Sequence, residues 1–326
     1  MPNFPITDTH LHLWDTKKLN YDWIKSIKLL NRSFSLSDYD QHCQSVDVDR
    51  MVFVQCDCDD EQGIEEARWV ADLAQKDSRI QGIVAFAPIE KEEQISSYLN
   101  QLVKVPLVKG VRRLLQVINE TGFCLSANFV NGINMLADFG LSFDICCRHD
   151  QLEEIVQLVD QCPKVSFMLD HIGGSPDLIA SNYRESWSIQ IQKLAQFDNV
   201  YCKVSGIVTT ANHQNWSTDD LSPYVDDVIS AFGWDRLVYG GDWPVSTLAA
   251  TYPQWINALD EIVEGASDQQ KKQLYLNLSF SLLIIIFKSY QIIFVTGFLG
   301  SLAWNIFKES IILISIYWLG IWVIHL

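Results

Sequence analysis

The stretch Asp8-Thr9-His10-Leu11-His12 directly follows a short apolar segment near the start of the chain. Because side chains alternate across a β-strand, we expect both histidines on one face and Leu11 on the other. Two adjacent imidazoles are costly to desolvate unless a metal ion, a polarised substrate oxygen or another polar group shares their nitrogens. The motif by itself therefore leaves two interpretations open, a functional pair or two hydrogen-bonded histidines at a strand end.

Short apolar segments recur along the chain and alternate with segments of helical periodicity. Near-continuous apolar strands separated by amphipathic helices indicate a parallel sheet that is covered on its outer faces. A doubly wound sheet is disfavoured because no glycine-rich turn follows the first strand. The pattern instead predicts a (β/α)8 TIM barrel over residues 1–277, with strands at residues 4–9, 50–55, 80–87, 107–111, 141–146, 165–169, 200–204 and 237–239.

Charge and cysteine content restrict the class of partner and the compartment. The chain has 326 residues and a net charge of −16, with no basic patch, which argues against a nucleic-acid partner. The eight cysteines are scattered, and Asp8, His10 and His12 interrupt any secretory apolar region. We therefore expect reduced thiols and a cytoplasmic location.

Residues 278–326 form an atypical apolar C-terminal tail in which only Lys288, Lys308 and Glu309 are charged. Residues 289–307 are long enough to span a bilayer, and residues 310–326 are marginal. The tail is a membrane anchor, a buried closing helix, or a mispredicted end such as a retained intron or a frameshift. The last interpretation fits the abrupt loss of pattern after Asn277, and a membrane partner is expected only if the tail is genuine.

Catalytic groups of a (β/α)8 barrel collect at the C-terminal ends of its strands. Four of the seven histidines lie at such predicted ends, which supports both the barrel and a site. The polar residues predicted at these ends are His10, His12, Gln55, Asp57, Arg112, Arg113, Arg148, His149, Asp150, Asp170, His171, Lys203, Ser205 and Asp242.

Imidazoles, with or without a divalent ion, polarise a carbonyl, and a carboxylate activates water. Asp242 is the best candidate for the base because Gly240 and Gly241 let the backbone turn closely beneath it. Arginines at strand ends suit a substrate with a carboxylate or several hydroxyls, although only one of Arg112 and Arg113 can point inward.

Each candidate also has a structural interpretation. Asp242 could cap a helix or pair with an arginine, and His171 could pair with Asp170. Arg148 could take the inward direction in place of His149, and Lys203 could form an ion pair at the end of the barrel.

Six segments resemble the amidohydrolase superfamily, and more narrowly its amidohydrolase-related (amidohydrolase 2) group of sugar lactonases of the L-fuconolactonase and L-rhamnonolactonase type. They are DTHLHLWD (8–15), VKGVRR (108–113), FDICCRHDQL (143–152), LDHIGG (169–174), CKVSGI (202–207) and YGGDWPV (239–245).

The resemblance implies a distorted (β/α)8 barrel that hydrolyses a small cyclic ester. It implies a divalent metal ion, zinc in the first place, on His10, His12, His171 and Asp242, although members of the group differ in whether they need a metal. Asp242 would be the general base, with His171 beside it in catalysis. The residues expected to bind substrate are Arg112, Arg113, Arg148, His149, Lys203 and Trp243.

Two rival functions remain open from the sequence. A decarboxylase of the same superfamily uses a similar set of histidines and aspartate on an aromatic amino-carboxylate. A non-catalytic barrel tethered to a membrane through residues 278–326 is the alternative from another class. The lactone itself and the oligomeric state are left open.

Overall fold

A computed structural model of the chain describes residues 1–174, 178 and 183–276. Within these residues, eight parallel strands form one sheet in sequence order, and the sheet curls into a nearly closed barrel. The predicted (β/α)8 barrel is confirmed. The strands are β1 (Ile6–Leu11), β2 (Val48–Val54), β3 (Ile80–Phe86), β4 (Val108–Arg112), β5 (Ser142–Ile145), β6 (Phe167–Leu169), β7 (Val200–Val204) and β8 (Leu237–Tyr239).

A helix follows each strand and covers the outside of the barrel. Apolar side chains on the inner face of these helices are buried against the strands, which explains the helical spacing seen in the sequence. The helices are α1 (Leu36–Cys43), α2 (Gly63–Ala74), α3 (Glu92–Leu102), α4 (Ala127–Phe139), α5 (Leu152–Gln161), α6 (Arg184–Leu194), α7 (Thr218–Phe232), α8 (Tyr252–Ile262) and α9 (Asp268–Leu276).

The strands observed agree with those predicted to within a few residues. β1 is displaced by two residues, to Ile6–Leu11 from the predicted residues 4–9. Its end lies later than predicted because residues 10–12 pair with the segment that follows β8, a contact that local sequence does not reveal.

The barrel closes through the segment after β8 and not through β8 alone. The backbone N–H of Asp242 donates to the carbonyl of His10 at 2.8 Å, and that of His12 donates to the carbonyl of Trp243 at 2.8 Å. These two hydrogen bonds continue the pairing of the sheet beyond β8 and fix Asp242 alongside His10 and His12.

The predictions for residues 278–326 fall outside the described residues. Among the helices that are described, none combines the length and the apolar character needed to cross a membrane.

One buried acidic side chain belongs to the support of the barrel. Glu66 on α2 is 1% exposed, and both of its carboxylate oxygens lie 3.3 Å from the backbone N–H donor of Cys56, just beyond β2. Burial raises the pKa of Glu66 to about 7, although the hydrogen bond from Cys56 opposes this shift. The Glu66 carboxylate therefore fixes the backbone just beyond β2, but its burial disfavours the charged form of the carboxyl group.

We expect Glu66→Gln to stabilise the protein at pH 8 and to have little effect near pH 4.5. An acid with a raised pKa binds more protons when folded, so the free energy of unfolding falls as pH rises from about 4.5 to about 7. Glutamine cannot ionise, so the substitution should raise the free energy of unfolding at pH 8 by up to about 3 kcal/mol. Urea denaturation at both pH values measures the difference.

Glu65→Gln is the matched control, because Glu65 is the exposed neighbour on the same helix. If the free energy of unfolding depends on pH in the same way in both variants, the role given to Glu66 is contradicted.

Candidate active site

The two histidines of the opening motif lie side by side at the end of β1. Their Nε2 atoms are 3.1 Å apart, and both side chains are almost fully buried. The Nδ1 atom of His12 lies 2.8 Å from the carbonyl oxygen of Val54. Because a carbonyl only accepts, His12 carries its proton on Nδ1 and presents the lone pair of Nε2 to the site.

His171 reaches the same place from the end of β6. Its backbone is in the left-handed region, with φ of 52°, and its Nδ1 atom is 2.9 Å from the hydroxyl oxygen of Ser205. Gly206 leaves the space that the ring fills, since a Cβ at that position would lie 2.4 Å from the His171 Nδ1 atom. The ring is thus held from β6 and from the segment after β7.

Asp242 faces all three imidazoles. Its Oδ1 atom lies 3.4 Å from His12 Nε2, 3.8 Å from His10 Nε2 and 3.9 Å from His171 Nε2. A tetrahedral zinc ion with bonds of about 2.0–2.1 Å separates its ligand atoms by roughly 3.3 Å. Nitrogen and carboxylate donors at this spacing fit a divalent cation, and His10, His171 and Asp242 form one of the metal-capable groups of the described chain.

A cluster of buried charges lies beneath the histidines. The Lys203 ammonium is 3.0 Å from Asp144 and 2.8 Å from Asp170, and Arg112 Nη1 is 3.3 Å from Asp170. Both cations also contact His10, with Lys203 Nζ 3.2 Å from its Nδ1 and Arg112 Nη1 3.3 Å from its Nε2. The two cations and two carboxylates therefore neutralise one another inside the barrel.

This cluster sets the protonation of its members. Burial lowers the pKa of His10 well below its usual value, and the Lys203 ammonium lowers it further. Burial alone would raise the pKa of Asp170, but Lys203, His10 and Arg112 hold it well below its usual range. At neutral pH His10 is therefore neutral and Asp170 is charged.

A cavity of about 220 Å³ opens above these groups. Of the polar residues predicted at the strand ends, His12, Asp57, Arg112, His171 and Asp242 line it. His10 lies directly behind them, with no exposed surface.

Two other arginines were predicted to bind substrate, Arg113 and Arg148, and both lie away from the cavity in the described part of the chain. Arg113 pairs with Glu90 at 3.0 Å. Arg148 pairs with Asp150 at 3.0 Å and donates to two backbone carbonyls. The structure thus brings Arg112 alone of the three to the cavity, because only it leaves its strand on the inner side.

His149, Lys203 and Trp243 are not brought to the cavity wall in the described structure either. The His149 ring packs on Tyr183, with ring centroids 5.1 Å apart. Lys203 belongs to the charge cluster below. The Trp243 indole is fully buried against Phe34 at 5.4 Å, which makes it a core residue of the loop that carries Asp242.

Asp8 was not among the predicted site residues, yet it supports the site. Its Oδ1 atom accepts the backbone N–H groups of His10 at 3.0 Å and Gly241 at 2.7 Å. Its Oδ2 atom accepts the hydroxyls of Tyr39 and Tyr252, both at 2.9 Å. In the sequence, this role could have been inferred from the position of Asp8, an acidic residue two positions before His10 and so on the same face of the strand.

Histidines and an aspartate thus follow strands 1, 6 and 8 on the rim where (β/α)8 enzymes carry their catalytic groups. The chain belongs to the amidohydrolase family, whose model matches residues 7–277.

Curated relatives align over most of their length. The chain is 26% identical over 292 residues to the uncharacterized protein y4mH of Sinorhizobium fredii, covering 84% of this chain and 97% of that protein. It is 27% identical over 254 residues to an L-fucono-1,5-lactonase of Burkholderia ambifaria, covering 76% and 84%.

A similar solved structure is an amidohydrolase from Burkholderia multivorans with bound zinc. It has a TM-score of 0.75 and 24% identity, and the match covers 83% of this chain and 96% of that one. This likeness shows that the fold is shared.

We expect Gly206→Ala to weaken zinc binding at least tenfold, because the new Cβ would displace the His171 ring. Gly122→Ala is the control, since Gly122 is also left-handed, with φ of 76° and ψ of 5°, but no atom lies within 4 Å of a Cβ built there. Both substitutions force alanine into the left-handed region, at about 1–2 kcal/mol each. Zinc titration calorimetry with both variants measures the difference, and equal affinities would show that the Gly206 cradle does not position His171.

Proposed function

We propose that the protein is a hydrolase that opens a small sugar-acid lactone. The observation that carries this proposal is the position of the Asp242 carboxylate, with one oxygen within 3.9 Å of the Nε2 atoms of His10, His12 and His171. A carboxylate beside carbonyl-polarising groups is the arrangement that ester hydrolysis by activated water requires.

In the proposed reaction, Asp242 takes a proton from water as the water oxygen bonds to the lactone carbonyl carbon. The ring C–O bond then breaks, and Asp242 returns the proton to the departing alkoxide. The product is a hydroxy acid, which ionises at neutral pH and releases one proton for each ester opened.

Amidohydrolases are typically metal-dependent. In this chain His10, His12, His171 and Asp242 would hold a divalent ion, zinc in the first place, and the ion would polarise the lactone carbonyl when bound. His12 has its Nε2 lone pair free for such a role because Val54 fixes the proton on Nδ1.

The kind of substrate is supported by the relative named above, an L-fucono-1,5-lactonase that shares 27% identity over 84% of its own length. In this chain a carboxylate and two imidazoles line one cavity, which supports the opening of a cyclic ester by activated water.

The test is a panel of aldonolactones assayed with the full chain by proton release, with the metal content measured on the same sample. We expect turnover of at least one lactone. If none turns over, with or without added Zn²⁺ or Mn²⁺, the proposal fails. Release of carbon dioxide from an aromatic amino-carboxylate would select the decarboxylase instead.

We expect Asp242→Asn to lower kcat about 10²–10⁴-fold, the range that a general base contributes. Asparagine tolerates the left-handed backbone of Asp242, with φ of 51°, so the barrel should remain folded. Asp72→Asn, on the exposed side of α2, is the control and should retain full activity. A functional role that survives Asp242→Asn would point to a non-catalytic barrel.

A further inference from the structure

Asp57 is a carboxylate of the cavity wall that the proposed reaction does not use. It lies three residues beyond the end of β2 and lines the cavity together with Arg112 and Asp242. Its backbone is left-handed, with φ of 56°, and its N–H donates to the side-chain oxygen of Gln55. The local turn therefore fixes the side chain at the cavity.

The Asp57 carboxylate makes no hydrogen bond or ion pair with any residue in the described ranges. The next two acidic residues of the loop are partnered, Asp59 by Asn20 at 2.9 Å and Asp60 by Lys91 at 3.4 Å. Asp57 is half-buried, and burial raises the pKa of its carboxyl group. A half-buried carboxylate without a protein partner is suited to accept hydrogen bonds from a ligand.

The cations near the cavity are already committed to groups of the protein. Arg112 donates to Asp170 and to the backbone carbonyl of Gln55, whereas Arg113 and Arg148 pair with carboxylates outside the cavity. With Asp242 among the proposed ligands of a divalent ion, Asp57 is the carboxylate of the cavity wall that has no cationic partner among the described residues. A substrate with its own carboxylate would meet that like charge, whereas Arg112, Arg113 and Arg148 are each already paired with a protein carboxylate.

We propose that Asp57 determines specificity by accepting hydrogen bonds from the hydroxyls of a neutral polyhydroxy lactone and by repelling lactones that carry a carboxylate. This inference rests on the proposed lactonase function and names its substrate class. A site built to hydrogen-bond hydroxyls rejects analogues that cannot donate to it, because its own buried group is then left unpaired.

The experiment compares the full-length wild type with Asp57→Asn on two lactones of the same ring size. One is a neutral aldonolactone, and the other has a carboxylate in place of its terminal hydroxymethyl group. Asparagine preserves the size of the side chain and tolerates the left-handed backbone. Asp60→Asn is the matched control, because it makes the same change in the same loop at a residue paired with Lys91.

We expect Asp57→Asn to lower kcat/KM for the neutral lactone about 10- to 100-fold, mainly through KM. The value for the carboxylated lactone should stay constant or rise, so that the preference for the neutral lactone falls at least tenfold. Asp60→Asn should change neither value.

An equal loss on both lactones would assign Asp57 a structural role and overturn the inference, as would an unchanged preference. If the wild type opens neither lactone, the proposed function fails. Calorimetric binding of the neutral lactone then tests whether Asp57 accepts hydrogen bonds from its hydroxyls. Weaker binding to Asp57→Asn supports the inference, and equal binding overturns it. Thermal melting verifies folding, and Asp57→Ser replaces the asparagine variant if that variant does not fold.

Discussion

The site depends on the buried carboxylate of Asp8. One of its oxygens accepts N–H groups from both β1 and the segment after β8, and so joins the first and last parts of the barrel. Two tyrosine hydroxyls satisfy the other oxygen, and these four donors make the burial of a charge tolerable. Because Gly241 is fixed to β1 in this way, Asp242 must lie beside His10 and His12.

Charge is separated into two layers around these residues. In the lower layer Lys203 and Arg112 are matched by Asp144 and Asp170, so that layer contributes no net charge to the cavity. In the upper layer the carboxylates of the wall have no matching free cation among the described residues. A divalent ion would balance that upper layer, whereas an anionic substrate would add to the imbalance.

The fold and the clustering of polar residues at one rim of the barrel could be predicted from the sequence because both follow from periodicity. Apolar strands of a parallel barrel are buried on both faces, and the polar residues that end them lie on one rim, which identified His10, His12, His171 and Asp242. The sequence predicted that only one of Arg112 and Arg113 points inward but not which one, and the direction of Arg148 could not be predicted because its partners are fixed by loop geometry. Asp8 was missed because the sequence does not show that the segment after β8 supplies it with a donor.

The residues that line the cavity also hold much of the unusual backbone. Asp57, His171 and Asp242 all have φ between 51° and 56°, a region that residues other than glycine rarely adopt. Such conformations persist only where the surroundings over-determine them, here through Gln55, Ser205 and the ladder to β1. The side chains are therefore positioned before any ligand binds. It follows that local changes such as a Cβ at position 206 can disturb the site while the barrel around it stays intact.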